Sequence, residues 1–183
     1  MTNRRFYNFI NELSKNQYFN DCVVITDRKE DEQFKLELIL RLLIGMKMDM
    51  NEASNYNDLK ELLDRETIKM IDGFKEDEYE IVSEKFNKTF KLLNDTLGED
   101  SFKKYSDGKH KGAFLVGAFQ AIALGIYNNI DFIQNMTKEE ITNKIRLFYI
   151  EDTYIESTRK GVRAVPRFCS LTCFGKEYFS NEN

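Results

Sequence analysis

The chain contains a single proline, Pro166, among its 183 residues. Proline interrupts a helix because it lacks an amide hydrogen and because its ring clashes with the preceding turn. Only nine glycines are present to add further breaks. A chain with so few helix breakers can form long helices, and a hydrophobic content of 42% is enough to give those helices a folded core. We therefore predict an all-α protein.

Apolar residues that recur every three or four positions divide the chain into about seven predicted helices. The strongest helix signal runs from Lys29 to Met48, and a long amphipathic pattern runs from Asp77 to Leu97, with apolar residues from Tyr79 to Leu97 on one face. The short run Cys22–Ile25 is predicted to be a packed connector or a short helix. The seven predicted helices cover residues 4–15, 29–48, 57–71, 77–97, 113–127 and 137–149, and a last helix that starts between 161 and 166.

The predicted helix 113–127 is apolar on nearly all sides, which is typical of a buried central helix. Ala113, Gly117, Ala121 and Gly125 are spaced four residues apart and predict a ridge of small residues on this helix. Such a ridge allows a second helix to approach closely. The sequence therefore predicts an irregular bundle, a single domain over residues 1–183, with a candidate hinge near residues 51–57.

The net charge of the chain bears on its affinity for nucleic acid, and the number of cysteines bears on its cellular compartment. A net charge of −4 gives no general affinity for nucleic acid, so any such contact has to come from a local patch. An odd number of cysteines, three, predicts reduced thiols in a cytoplasmic protein. The uncharged run 112–129 is too short in its apolar part to span a membrane, and we predict no membrane contact.

The sequence offers no pattern that is typical of a catalytic centre. His110 is the only histidine, and we predict that it is a solvated residue of a polar surface loop, residues 99–111. The spacing of Cys169 and Cys173 puts two thiols on one helical face, where we predict buried core residues rather than half of a zinc site. No phosphate-binding glycine loop is present. We predict no catalytic residue, no cofactor and no bound metal. The alternative is a metal-binding cluster of carboxylates, although a solvated helix face explains the same residues more simply; they are Glu139, Glu140, Glu151, Asp152 and Glu156.

Two groups of basic residues are candidates for contact with the phosphates of nucleic acid, although ordinary surface charge is the default explanation in a chain of net negative charge. Arginine pairs with phosphate through two parallel hydrogen bonds, which makes the second group the better candidate. The first group is Lys103, Lys104, Lys109 and Lys111, and the second is Arg159, Lys160, Arg163 and Arg167.

Arg41 differs from these residues because it lies inside the apolar run 38–43. A charge in such surroundings is costly unless it is paired. We therefore predict a structural, half-buried ion pair between Arg41 and a carboxylate on a neighbouring helix.

Several segments resemble a known protein family. Residues 28–32, Arg-Lys-Glu-Asp-Glu, lead into Glu-Leu-Ile-Leu-Arg-Leu-Leu at 37–43, and the preceding segment 6–19 contains Phe-Ile-Asn-Glu-Leu-Ser. Phe90, Leu93, Gly98 and Phe102 follow downstream. Together these segments resemble the helical C-terminal half of proteins with a ParB-like N-terminal domain, the family of the GmrS half of the GmrSD restriction system. The arginines near 163–167 are compatible with the same family.

The resemblance implies an all-helical accessory domain of a restriction-type phage-defence protein. The Asp-Gly-Gln-Gln-Arg motif of the family, which is linked to its nucleotide-dependent activity, is absent here, as is the HNH nuclease domain. No functional residue of that motif can be transferred to this chain. The implied partners are a separate protein or a ParB-like N-terminal module, so the chain is expected to be either a fragment or an independent derivative.

Two hypotheses about function follow from these observations. The first is a helical accessory or interaction domain that is not catalytic alone. The alternative is a nucleic-acid-binding module that contacts the DNA backbone through the arginine-rich group.

Overall fold

The computed structural model describes residues 2–25 and 28–181. The chain is 74% helical, which confirms the all-α class. The described helices are α1 (Thr2–Ser14), α2 (Gln17–Cys22), α3 (Arg28–Lys47), α4 (Leu59–Gly73), α5 (Glu76–Thr96), α6 (Val116–Asn128), α7 (Ile130–Ile133), α8 (Lys138–Phe148), α9 (Asp152–Thr158) and α10 (Ala164–Tyr178). Two 3₁₀ helices, Met50–Asn55 and Gly98–Asp100, and two strands, β1 (Lys104–Ser106) and β2 (Lys109–Lys111), complete the described elements.

All seven predicted helices are present, and none starts more than three residues from its predicted position. The described residues contain ten α-helices rather than about seven, because α2, α7 and α9 were not predicted. These three have only 6, 4 and 7 residues, which is too short to establish a helical period in the sequence. Cys22 ends α2, and residues 23–25 form the predicted packed connector.

Part of the predicted surface loop, residues 99–111, is a β-hairpin, so that prediction was wrong. In this hairpin Lys104 pairs with Lys111, and Tyr105 pairs with His110. Asp107 and Gly108 form the turn with φ values of 53° and 77°. Positive φ at both positions is the geometry of a type I′ turn, which Asp-Gly favours. The strands have three residues each and show no apolar alternation that could have revealed them.

Helix α6 is the predicted central helix, since every residue from Ala118 to Tyr127 is buried. It begins at Val116 and not at Ala113, which is exposed. Leu115, the residue before the first turn, has extended backbone angles of −109° and 111°. The small-residue ridge therefore lacks its first predicted member.

Helix α10 crosses α6 with the two backbones in contact. A Cβ atom added to Gly125 would lie 2.3 Å from the carbonyl oxygen of Gly175, and one added to Gly175 would lie 2.2 Å from that of Ala121. Close by, the buried Gln120 donates from Nε2 to the Phe168 carbonyl at 2.7 Å and to Thr172 Oγ1 at 2.9 Å. These contacts fix the register of α10 on α6, and with it the position of the residues at the start of both helices.

Phenyl rings supply much of the remaining core. Phe19 of α2 packs edge-on against Phe90 of α5 at a ring distance of 5.0 Å, and Phe119 of α6 lies 6.2 Å from Phe90. All three side chains are at most 1% exposed. Edge-to-face and offset ring pairs stabilise a core beyond the area that they bury. The aromatic residues therefore link the N-terminal helices to the central helix.

The predicted hinge, residues 51–57, lies in the 3₁₀ helix Met50–Asn55 and the residues that follow it. Ala53 is buried, and the segment packs on α10. The Tyr56 hydroxyl donates a hydrogen bond to the Glu66 carboxylate of α4. The segment is thus attached to two helices, and its role as a hinge stays a prediction.

None of the helices in the described ranges has the length and apolar character needed to cross a membrane.

Candidate functional site

Three of the eight candidate basic residues lie around the N-terminus of α6. The hairpin, α9 and the start of α10 surround a cavity there of about 510 Å³. We call it the α6 cavity. One residue of the lysine group and two of the arginine group line it, together with two tyrosines, the first turn of α6 and part of α9. The lining residues are Lys104, Leu115, Val116, Gly117, Tyr149, Tyr154, Ile155, Thr158, Arg159 and Arg167.

Arg167 is the most firmly held of the three cations. Its Nε donates to the Ser157 carbonyl at 3.3 Å, and one terminal nitrogen donates to the Val162 carbonyl at 3.0 Å. These bonds use two of the five N–H groups that a guanidinium carries. The side chain is half-buried, and its orientation is set before any ligand arrives.

Lys104 and Arg159 are the exposed cations of the α6 cavity. Lys104 extends from β1, whereas Arg159 follows the last turn of α9. Arg159 also pairs with Glu156 at 2.9 Å, but 66% of its side chain is exposed, so this ion pair is weak and easily exchanged. No carboxylate lines the cavity among the described residues. The side chains that line the cavity thus carry three positive charges and no negative one.

The first turn of α6 contributes backbone donors. The Leu115 amide donates to the Phe102 carbonyl at 3.0 Å, and the first intrahelical bond joins the Phe119 amide to the Leu115 carbonyl at 2.9 Å. Leu115 provides no side-chain cap. The amides of Val116, Gly117 and Ala118 therefore have no acceptor within the described part of the chain, and a helix N-terminus in this state favours an anion.

Tyr149 adds a hydroxyl group. Its side chain is only 4% exposed, and its oxygen has no hydrogen-bond partner within residues 2–25 and 28–181. Burial raises the pKa of Tyr149, so the phenol stays protonated and can donate. A buried hydroxyl without a partner is rare in folded proteins. Nε2 of His110, whose ring lies 6.4 Å from that of Tyr149, is likewise buried without a partner in the described chain, so the two groups are candidates to pair with each other.

His110 does not have the predicted solvated position. It is half-buried, and its ring lies 5.0 Å from that of Tyr105 and 6.4 Å from that of Tyr149. Its Nδ1 donates to the Lys103 carbonyl at 3.1 Å, because a carbonyl oxygen can only accept. The prediction was wrong because the hairpin packs its Tyr105–His110 pair towards Tyr149.

The other residues of the lysine group do not reach the α6 cavity. Lys103 pairs with Asp100 at 2.9 Å and with Glu99 at 3.4 Å, and the bond to Asp100 raises the pKa of Lys103. Lys111 pairs with Asp107 across the turn. Lys109 is exposed on β2 outside the cavity. Of this group, the structure brings only Lys104 to the arginines.

The arginine group is also divided. Lys160 is exposed in the turn between α9 and α10 and does not line the α6 cavity. Arg163 lines a different cavity of about 580 Å³, which includes Tyr56, Pro166 and Cys169. Arginines only four positions apart in the sequence thus face two separate cavities.

The two cysteines of α10 are not core residues. Cys169 is half-buried and Cys173 is exposed, so the prediction of two buried core cysteines was wrong. The helical face that they share is turned partly to solvent. All three cysteines of the chain, including the buried Cys22, are free thiols.

Two of the five acidic residues of the α8–α9 region have separate structural roles. Glu140 accepts a hydrogen bond from the Thr137 amide at 2.7 Å in a capping box, and Glu156 pairs with Arg159. No group of three potential ligands is placed to hold a metal ion among the residues that the structure describes.

Arg41 forms an ion pair, but its partner is Glu37 on the same helix, at 2.5 Å. The expectation of a partner on a neighbouring helix was wrong. Residues four positions apart on a helix are direct neighbours, so Glu37 reaches the guanidinium first. The Arg41 side chain is 15% exposed, which agrees with the expected partial burial.

The sequence analysis missed the uncharged part of the site. Val116 and Gly117 could have been recognised, since residues 112–115 contain none of the usual N-cap side chains and an uncapped helix start can bind an anion. Tyr149 could not have been recognised, because no local pattern shows that a hydroxyl is buried without a partner.

Comparisons of the chain with models of protein families, with curated proteins and with solved structures found no match. The resemblance to the GmrS family therefore stays a prediction.

Proposed function

We propose that this chain is a helical accessory domain that contacts the phosphate groups of nucleic acid through the α6 cavity. The observation that supports this proposal is the meeting of Lys104, Arg159 and Arg167 around the uncapped start of α6. Lysine and arginine side chains and helix N-termini are common phosphate ligands in complexes of proteins with nucleic acids. The proposal includes no reaction.

Local charge, not net charge, carries this function. The chain as a whole is acidic, so a phosphate backbone is repelled from most of its surface. An interface of few cations gives modest affinity and a shallow dependence on salt. For two to three phosphate contacts we expect the logarithm of the binding constant to fall with the logarithm of salt concentration with a slope of roughly −2 to −3.

The test is fluorescence anisotropy with a labelled single-stranded and a labelled duplex DNA at several salt concentrations. Arg159→Glu and Lys104→Glu are expected to weaken binding by about tenfold each, since each reverses an exposed charge in the cavity. Lys88→Glu is the matched control, because Lys88 is exposed on α5 and does not line the cavity. Equal effects of all three substitutions would reject the α6 cavity as the interface.

Arg163→Glu and Arg167→Glu are less suitable tests. Arg163 lines the other cavity, and Arg167 is bonded to two backbone carbonyls that its reversal would leave without a donor. A loss of binding by Arg167→Glu could therefore reflect a local change of structure.

A second candidate function is docking to a protein partner, as the resemblance implies. The observation that favours it is the exposure of three apolar side chains near the junction of α8 and α9: Leu147, Ile150 and Ile155 are 54%, 67% and 47% exposed, and Ile155 also lines the α6 cavity. Apolar side chains exposed together are common at protein interfaces. Co-expression with a ParB-like module of a restriction system, with and without Ile150→Glu, tests this role; an unchanged yield of complex would contradict it.

The size of the native product bears on both candidates. An immunoblot of the source cells that gives a band well above 21.6 kDa would favour a module within a longer chain. A band at 21.6 kDa would favour an independent protein that binds its partner in trans.

A further inference from the structure

We propose that the β-hairpin is a lid that opens away from α8, and that a phosphate group in the α6 cavity closes it by attracting Lys104 of β1. Opening rests on the contacts of the hairpin itself. Closure rests also on the proposed function, because it describes how the same cavity is regulated. Three features of the hairpin support the proposal: it contains no buried residue, it has no hydrogen bond to another element of the described chain, and it covers polar atoms that have no partner there.

The hairpin lies at the surface of the domain. None of the residues 103–117 is buried, and no other unbroken run of described residues without a buried member is as long. A surface region with few buried apolar contacts can open locally at far lower cost than the whole domain unfolds. A two-stranded hairpin is also only marginally stable without a surface to pack on. The position of the hairpin therefore depends on the contacts that it makes with α8.

The hydrogen bonds and ion pairs of the hairpin lie within it. The strands pair with each other, His110 donates from Nδ1 to the Lys103 carbonyl at 3.1 Å, and Lys111 pairs with Asp107. Within the described parts of the chain, no hydrogen bond or ion pair joins β1, β2 or the turn between them to another element. The hairpin can therefore move as a unit that keeps its internal bonds.

Side-chain contacts with α8 hold the hairpin closed. The His110 ring lies 6.4 Å from that of Tyr149, the residue that follows α8. The Arg146 guanidinium lies 5.2 Å from the centre of the Tyr105 ring. Ring contacts and cation–π contacts at an exposed site contribute only modestly to stability. Opening therefore breaks weak contacts.

Three polar atoms are buried at this contact without a hydrogen-bond partner in the described chain. They are His110 Nε2, Arg146 Nε and the Tyr149 hydroxyl, three of the five such side-chain atoms among the described residues. A buried polar group without a bond costs free energy, whereas water bonds to the same group once it is exposed. The closed position thus carries a penalty that the open position lacks, which lowers the cost of opening.

The segment that moves has a fixed base and a candidate hinge. At the base Phe102 is 1% exposed, and its carbonyl accepts a hydrogen bond from the Leu115 amide at 3.0 Å. Between these residues Gly112 has a φ of 89°, and a Cβ placed on it would meet nothing within 4 Å. Glycine in open space can change its backbone angles without a clash. Motion is therefore confined to residues 103–114.

Lys104 connects the lid to the α6 cavity. Its side chain is exposed and lines the cavity beside Arg159 and Arg167. A phosphate held by the two arginines attracts Lys104, which lies at the cavity when the hairpin is closed. A ligand that binds one of two states more tightly shifts the population towards that state. Phosphate binding therefore closes the lid.

The rate at which diethyl pyrocarbonate modifies His110 measures opening. His110 is the only histidine, and its Nε2 is buried in the closed position, so mass spectrometry of the peptide that contains it reports on the hairpin alone. We expect the full chain to react about 10- to 1000-fold more slowly than a free peptide with the same sequence, because local opening is less costly than global unfolding. A greater slowing would mean that only global unfolding exposes His110, and an equal rate would mean that the hairpin is not docked; either would overturn the proposal.

Two tyrosine variants test the polar contact. Tyr149→Phe removes one unpartnered atom from the closed position, so we expect a modification rate about two- to fivefold lower. Tyr178→Phe is the matched control, because its hydroxyl donates to the Lys144 carbonyl instead, and it should leave the rate unchanged. A faster reaction of Tyr149→Phe would show that its hydroxyl bonds within the closed contact and would overturn the proposal. The rate of the unmodified chain tests opening even if this variant does not fold.

A 12-residue single-stranded DNA tests closure. At saturating concentration we expect it to slow the modification of His110 by about a further tenfold, the value of one charge-assisted hydrogen bond. Lys104→Gln should remove this slowing and leave the rate without DNA unchanged. Lys109→Gln is the matched control, since Lys109 is exposed on β2 and does not line the cavity, and it should keep the slowing.

The outcomes separate closure from the proposed function. DNA that binds, as measured by anisotropy, without slowing the modification would overturn closure and leave the proposed function intact. DNA that does not bind would overturn the proposed function and closure together, while the rate of the free chain would still decide whether the hairpin opens.

Discussion

The two ends of helix α6 are built in opposite ways. Near its C-terminal end Gly125 touches the backbone of α10 so closely that no side chain fits between the helices. At its N-terminal end Val116 and Gly117 border a cavity of about 510 Å³ that is lined by cations. Helix α6 thus has a tightly packed end, which contacts the backbone of α10, and an open end, which borders the cavity that Arg167 of α10 also lines.

This difference shows which residues the fold requires. At the closed end steric contact decides the residue type, because a methyl group on Gly175 would overlap the Ala121 carbonyl. At the open end Lys104 and Arg159 fill no space in the core. Their position around an uncapped helix start is not needed for packing, which is why we attribute to them a role in binding.

The largest effect on stability is expected from Gly175→Ala. A Cβ at this position meets backbone atoms, which cannot move aside as a flexible side chain can, so we expect a loss of about 3 kcal/mol or more in the free energy of unfolding. Urea unfolding followed by circular dichroism measures this loss. Gly73→Ala is the control, since nothing lies within 4 Å of the added Cβ, and it should leave stability unchanged or slightly raised. Equal stabilities of the two variants would contradict the close crossing.

An intermediate effect is expected from Gln120→Leu. This substitution keeps a side chain of similar size but removes the hydrogen bonds to the Phe168 carbonyl and to Thr172 Oγ1. We expect a loss of about 1–2 kcal/mol by the same urea measurement. Unchanged stability would mean that the two bonds do not contribute to holding α10 on α6.

A comparison of two tyrosines tests the open end. Tyr178 donates to the Lys144 carbonyl at 2.8 Å, so Tyr178→Phe should cost about 1 kcal/mol. Tyr149→Phe removes a buried hydroxyl without a partner and should be neutral or stabilising by up to about 1 kcal/mol in the absence of ligand. Thermal unfolding of the two variants side by side measures this difference. A clear destabilisation by Tyr149→Phe would show that its hydroxyl is satisfied within the protein.

The smallest effect on stability is expected from Lys104→Gln and Arg159→Gln. Both side chains are exposed, and the pairing of Arg159 with Glu156 is weak, so each change should stay within about 0.5 kcal/mol of the unmodified chain. Thermal unfolding checks stability, and DNA binding by the same samples should fall. A large loss of stability would assign these cations to the fold instead.

Most of the fold could be predicted from local patterns. The long helices α3 and α5 were placed to within a residue of their described ends, because apolar residues recur along many turns. Helices α2, α7 and α9 and the β-hairpin were missed, since each is shorter than the pattern that would reveal it. The dipeptide Asp107-Gly108 was the one signal for the hairpin in the sequence. Two residues alone predict a turn but not the strands on either side of it.

The candidate site shows where sequence reasoning ends. The eight basic residues could be identified as two groups, but their division could not be foreseen. Asp100 and Asp107 pair with Lys103 and Lys111, and Arg163 belongs to another cavity. The lysine pairs depend on the fold of the hairpin region, and the position of Arg163 depends on how the start of α10 is oriented.

The sequence alone determined the helical class, the buried character of α6 and the small residues along it, because periodicity and residue size are local properties. Only the tertiary structure decided that Lys104 lies near Arg159 and Arg167, and that Tyr149 is buried beside them without a partner. The physical reason is that backbone contact at Gly125 and Gly175 sets how α10 lies on α6. That register brings residues more than fifty positions apart in the chain to one cavity.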